Sequence, residues 1–130
     1  MATGFASAVA EEILDALFNG SSPSILPVSA VWAQLHTGDP GAAGTSNTAT
    51  ESTRVQISMA AASGGTITSD SDATWEDVAA QETYTHISLW DASSDGNFLA
   101  SGTITANEVD AGDDFTLPAG DIDASIPVAS

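Results

Sequence analysis

The sequence predicts a mainly β fold: an antiparallel β-sandwich of jelly-roll type, preceded by one amphipathic α-helix. Three observations carry this. Apolar residues repeat at helical spacing only as far as residue 18. Beyond Gly20 they alternate with polar residues over short runs, the period of a half-buried strand. Clusters of Gly, Pro, Asn, Asp and Ser separate those runs, as turns between strands require.

The helix is expected over residues 4–18. Phe5, Val9, Ile13 and Leu17 recur every four residues, with Ala6, Ala10 and Leu14 beside them. Thr3 is placed to cap its start and Gly20 to stop it. Residues 21–27 carry Pro23 and Pro27 and read as a linker. Val31–His36 is the first strand, with Val31, Ala33 and Leu35 on one side and Trp32, Gln34 and His36 on the other. A loop over 38–47 follows. Arg54–Ala60, Thr66–Thr68 and Ala73–Trp75 are the next expected strands, with Gly64 and Gly65 turning between the first two. Tyr84–Trp90 has the clearest alternation. A polar hairpin connection over 91–97 leads to Phe98–Thr105, then Phe115–Leu117 and Ile122–Ile126. Many short strands joined by turns indicate a sandwich. With 130 residues the chain is read as one domain, 1–130. The helix and its stop occupy 1–20 and the sandwich 21–130.

Charge narrows the function classes. There are 18 acidic residues, 12 Asp and 6 Glu, against one arginine and no lysine, for a net charge of −17. Without a basic patch, nucleic acid is not an expected partner. The 42% hydrophobic content and strong patterning separate the chain from acidic disordered proteins. Self-repulsion opposes compaction in dilute buffer. At about 1 M salt the Debye length falls to about 3 Å and that penalty largely vanishes. The composition therefore suits a protein that works in brine. Melting temperature is expected to rise between about 0.1 and 2 M NaCl; an unchanged melt would count against this reading. There is no cysteine, so disulfides and thiolate metal sites are absent. No apolar run reaches the roughly 18 residues of a spanning helix, and no basic n-region marks a secretory signal. No membrane partner is expected.

Six stretches in order carry a family resemblance: EEILDALFNG, AQLHTGDPGAAG, TRVQISMAAASGGTITSD, THISLWDASSDGNFLASGTIT, VDAGDDFTLPAG and the alternating final strand. Together they span nearly the whole chain. The chain resembles small tailed-virus virion proteins usually labelled tail fibre or minor tail proteins. Relatives commonly place a lysine near Glu108, where this chain is acidic; that departure points to a haloarchaeal tailed virus. The resemblance implies a non-enzymatic virion component on the outer surface of the particle. The leading expectation is an oligomeric capsid decoration or turret protein, since a whole fibre would call for repeats or a coiled coil. The alternative is a tail fibre or baseplate adhesin module that recognises the host surface. Implied partners are other virion proteins such as the major capsid protein, and a host surface glycan.

No residue is expected to be catalytic. His36 and His86 are the only imidazoles, and no GxSxG elbow accompanies the serines. Arg54, at a position where the resembled family also has arginine, is expected in a structural ion pair. Its planar fork suits a two-pronged bond to Asp39 or Asp91. Asp91, Ser93 and Asp95 offer oxygens at alternate positions before Gly96, as a calcium loop begins, but the twelfth position is Gly102 rather than glutamate. They are weak candidates for a structural divalent cation; no other cofactor is expected. Trp32, Trp75 and Trp90 are expected in the core or an interface rather than stacked on sugar. Phe5, Val9, Ile13 and Leu17 are the expected core of a homo-oligomer interface, trimeric or pentameric.

Overall fold

The two runs with the cleanest alternation become neighbours. The computed structural model describes residues 3–130. In it, β2 (Val31–His36) and β6 (Glu82–Trp90) pair antiparallel, with Trp32 opposite Trp90, Ala33 opposite Leu89, Leu35 opposite Ile87 and His36 opposite His86. Successive side chains on a strand point to opposite faces. Ala33, Leu35, Ile87 and Leu89 therefore share one face, and Trp32, Gln34, His36, His86, Ser88 and Trp90 share the other.

The remaining strands extend this pair. They are β1 (Gly4–Phe5), β3 (Val55–Ile57), β4 (Thr66–Thr68), β5 (Ala73–Trp75), β7 (Phe98–Val109), β8 (Phe115–Leu117) and β9 (Asp123–Ser125). Five form one sheet in the order β1-β7-β6-β2-β3, while β4 pairs with β9 and β5 with β8. All named pairings are antiparallel. Ala33, Leu35, Ile57 and Ile87 from the large sheet join Trp75, Phe115, Leu117 and Ile122 in one buried cluster. The two ribbons thus cover one face of the sheet. Phe115 is the hinge of this packing, with ring centroids 6.0 Å from Trp75 and 5.2 Å from Tyr84. Each large apolar side chain buried there contributes roughly 1.5–3 kcal/mol. The mainly β architecture with antiparallel sheets and a single N-terminal helix is the one the sequence predicts.

Several boundaries move, each for a tertiary reason. Gly4 and Phe5 pair with Ser101 and Ala100 on β7, so the helix α1 begins later, at Ser7, and runs to Phe18. Thr3 does not cap it. Ala6 is the N-cap, with no side-chain cap bond, and its own N–H goes to Leu99 O at 2.8 Å. The stop is as expected: Gly20 has φ 65°, and Ser21 N–H reaches back to Asp15 O at 3.2 Å. That is the glycine-terminated turn that satisfies a helix's last carbonyls. Strand β3 ends at Ile57, and Met59 makes only an isolated bridge to Ser69. Strand β7 runs past Thr105 to Val109 because Asn107, Glu108 and Val109 find partners in Tyr84, Thr83 and Glu82. The last strand shortens to Asp123–Ser125, the length that β4 offers.

The helix lies on its own sheet. Ala6, Val9 and Leu99 are buried together, with Ile13, Ile25, Leu26, Val28 and Phe98 packed around them. Of the four residues expected to form an oligomer interface, Val9 and Ile13 are used inside the protomer. Phe5 is 44% exposed and Leu17 69%. A short helix needs a docking surface to persist, and the nearest apolar surface is the sheet that β1 already joins.

Candidate functional site

The second face of the large sheet carries a polar chain that starts at His36. Its Nδ1 lies 2.8 Å from Ser46 O and its Nε2 2.7 Å from Ser88 Oγ. A carbonyl can only accept, so Nδ1 bears the proton and Nε2 accepts the Ser88 hydroxyl. Ser88 Oγ in turn accepts Trp90 Nε1–H at 2.8 Å. A serine hydrogen-bonded to histidine has the first requirement of a nucleophile. Here His36 and Ser88 are both fully buried, and the third partner is a carbonyl rather than a carboxylate. The arrangement is a packed core network. Burial lowers the His36 pKa, the neighbouring His86 adding to the effect.

The other side of Trp90 holds the lone base. The Arg54 guanidinium carbon sits 4.1 Å from the Trp90 ring centroid. Nε donates to Gln34 Oε1 at 3.1 Å, and Nη1 donates to Ala92 O at 2.9 Å and Asp95 O at 2.7 Å. The expected two-pronged bond to Asp39 or Asp91 gives way to bonds with carbonyls. The physical reason lies in the 91–97 loop. Asp91 spends its carboxylate within that loop, accepting Asn97 N–H at 2.7 Å and the Asn97 side-chain amide at 2.8 Å. Asp39 Oδ1 accepts Gly41 N–H at 2.9 Å. Asp95 and Gly96 both take positive φ, 54° and 76°. A Cβ on Gly96 would fall 2.5 Å from Asp91 Oδ1, so glycine is required there. Asn97 holds Asp91 below the usual carboxylate range, with Arg54 assisting through space.

This geometry bears on the proposed cation loop. Two inward carbonyls of the 91–97 segment already face a positive charge, that of Arg54. Among the described residues no group of three or more His, Cys, Asp or Glu side chains is arranged to hold a metal ion. Ser93 and Asp95 lie in the exposed part of the turn.

With one cation available, carboxylates elsewhere find backbone donors. Glu82 accepts the N–H groups of Thr50 and Glu51, and Glu51 accepts that of Ala79. Asp72 accepts Ala119 N–H, and Asp114 accepts Asp77 N–H. Glu12, on the helix, clamps the following segment: it accepts Ser24 Oγ–H at 2.7 Å and the N–H groups of Ser24, Ile25 and Leu26. The Ser24 hydroxyl bond leads the lowering of its pKa to about 2 from 4.5.

These shifts give a signed pH prediction. His36 binds a proton less readily folded than unfolded, so stability should begin to fall as pH drops below about 6.5. Glu12 stabilises above its unfolded value of 4.5, and that contribution should be lost as pH falls toward about 2. Thermal melts at fixed salt should therefore weaken in two stages. His36→Gln should flatten the upper one; a variant that falls as steeply as wild type between about pH 7 and 5.5 would assign that stage elsewhere.

A concave surface lies along β7, on the side where the two ribbons leave the sandwich open. The larger part holds about 620 Å³ and runs between Thr103–Asn107 and Thr116–Pro118. A smaller part of about 190 Å³ continues it toward Phe5. Both share Thr103, Ile104 and Asp121. Hydroxyls, the Asn107 amide and the Asp121 carboxylate line this groove, which sequence reading missed because β7 and β8, though consecutive in the chain, pair with different strands, β6 and β5, and no local pattern shows the gap this leaves between them. The tryptophans lie elsewhere: Trp75 and Trp90 are buried, Trp75 donating to Thr53 O at 2.9 Å, and Trp32 is half-buried.

Residues 4–125 match the profile of a family described as "Podophage GP4 fiber I protein gp80". No curated protein matches the chain.

Proposed function

The chain belongs to this podophage fibre family, which makes it a virion protein of fibre type, and on that premise we propose that it is a tail fibre module that recognises the host cell surface. The family match carries the reading. It favours the fibre over the capsid turret that the absence of repeats had put first. In this proposal the module sits on the outside of the particle, and receptor contact falls on the groove along β7. Neutral polar groups such as hydroxyls are the chemistry its Thr, Asn and Asp side chains would bond. The acidic surface fits an exterior position, since it would repel the packaged genome, and it fits a host in concentrated salt.

Adsorption competition tests the proposal. Purified protein in molar NaCl, mixed with host cells before virus is added, should reduce adsorption. Thr105→Trp, which fills the groove from an exposed position, should compete poorly. Wild-type protein that binds no cells and leaves adsorption unchanged would overturn host recognition. A Thr105→Trp protein that competes as well as wild type would move the contact off the groove.

A further inference from the structure

We infer that the exposed flank of α1, formed by Leu14, Leu17 and Phe18, seats in an apolar socket rimmed by lysine or arginine on a different virion protein. These side chains are 55%, 69% and 75% exposed. Their spacing puts them on one strip of the helix, beside the face that Val9 and Ile13 bury. Single exposed apolar residues are ordinary; three large ones in one strip mark a contact surface. The same spacing is how an amphipathic helix anchors in a groove.

The helix is held ready for such a contact. Val9 and Ile13 dock it on the sheet. Its start is tied to β7 through Ala6 N–H and Leu99 O. Glu12 fastens residues 24–26 along its side. A rigid, preformed anchor loses little freedom on binding.

Charge identifies the occupant. Glu11 and Asp15 flank the strip, and no basic residue stands in the last turn of the helix. The helix C-terminus adds the negative end of its dipole. A second copy has no side chain to set against this rim. The chain has no lysine, and Arg54 is committed to Gln34, Ala92, Asp95 and the Trp90 ring. Two copies meeting here would bury carboxylates with no opposite charge to pair with, a desolvation cost that salt does not remove. A socket with basic residues at its mouth supplies the opposite charge that a second copy lacks.

The test uses virus particles assembled in the host from genomes carrying the substitution. A Leu14→Ser/Leu17→Ser/Phe18→Ser protein should keep its circular dichroism and melting temperature. Its content in purified virions should drop at least about tenfold, because hydrophobic anchors dominate such contacts. Glu11→Lys, an exposed charge reversal that does not threaten folding, should lower incorporation independently. The purified triple variant should still compete for adsorption, which separates this contact from host recognition. Wild-type levels of both variants in particles would overturn the inference. So would a wild-type protein that sediments as an oligomer at micromolar concentration while the triple variant is monomeric, since a second copy would then cover the strip.

Discussion

Arg54→Ala is expected to destabilise the protein by about 2–4 kcal/mol. Hydrogen bonds to charged groups contribute about 1.5–3 kcal/mol each in mutational series, and a cation–π contact from about 0.5–1 kcal/mol when exposed to about 2 or more when desolvated, with the half-buried Arg54 between the two. These contributions overlap at one side chain and do not add in full. Removing the guanidinium frees the Ala92 and Asp95 carbonyls and the Gln34 side chain, and uncovers the Trp90 ring. The 91–97 loop then loses its tie to the sheet. Arg54→Lys should recover less than half of the loss, because an ammonium cannot span three acceptors while lying flat on an indole. The salt dependence separates this account from an ordinary surface ion pair. At about 1 M salt a carboxylate pair at the surface is screened to a Debye length of about 3 Å. Bonds to carbonyls at contact distance persist, while the through-space attraction of Asp95 and Asp91 is screened, so most of the destabilisation seen at about 0.2 M NaCl should remain at about 2 M. Urea melts of both variants at the two salt levels are the measurement. A loss under about 0.5 kcal/mol, the range of an unremarkable surface substitution, would show that the loop is held by other means.

The sequence singled out Arg54 but not its partners, and the reason is physical. A lone base among eighteen carboxylates reads as half of an ion pair. In the fold Asp91 spends its carboxylate on the backbone N–H and side-chain amide of Asn97, and Asp95 offers Arg54 its backbone carbonyl. The carbonyls that receive Arg54 are presented by a turn 38–41 positions further on, where no side-chain pattern reveals them. The strands with regular alternation, Val31–His36 and Tyr84–Trp90, were legible because one face is buried and period two follows from that. Strand β1 was not. Gly4 and Phe5 fall within an apolar run of helical spacing, and only pairing with Ser101 and Ala100 makes them a strand. Nor did Asn107 and Glu108 look like strand residues; their partners on β6 decide it, as context commonly overrides propensity. The groove along β7 was out of reach for the same reason, its walls being contributed by residues near 103, 116 and 121.

The helix shows where periodicity stops being informative. Phe5, Val9, Ile13 and Leu17 share a spacing, and Leu14 and Phe18 widen the apolar arc. An arc that broad does not say which part meets the parent sheet. The fold divides it: Val9 is 4% exposed against Leu99, while Leu17 is 69% exposed.

Val9→Asp tests that division. Burying an uncompensated carboxylate beside Ala6 and Leu99 should cost about 3 kcal/mol or more. The helix has a route of escape that a core strand lacks, because it sits at the edge of the fold and can undock. Local openings of this kind are governed by how few buried contacts hold the segment. Undocking would also release the Glu12 clamp on residues 24–26 and pull β1 from β7. Freed from the sheet, a helix of 12 residues is too short to persist in water. The expected product is a chain whose large sheet remains while residues up to about 28 become extended and protease-sensitive. Circular dichroism should show lost helix with retained β signal, and limited proteolysis should cut first within the N-terminal segment. Leu17→Ser, a change on the exposed flank of the same helix, should leave both measurements at wild type. If Val9→Asp instead keeps its helix and merely lowers the sedimentation coefficient, Val9 belongs to a contact between copies, and the intramolecular docking described above is wrong.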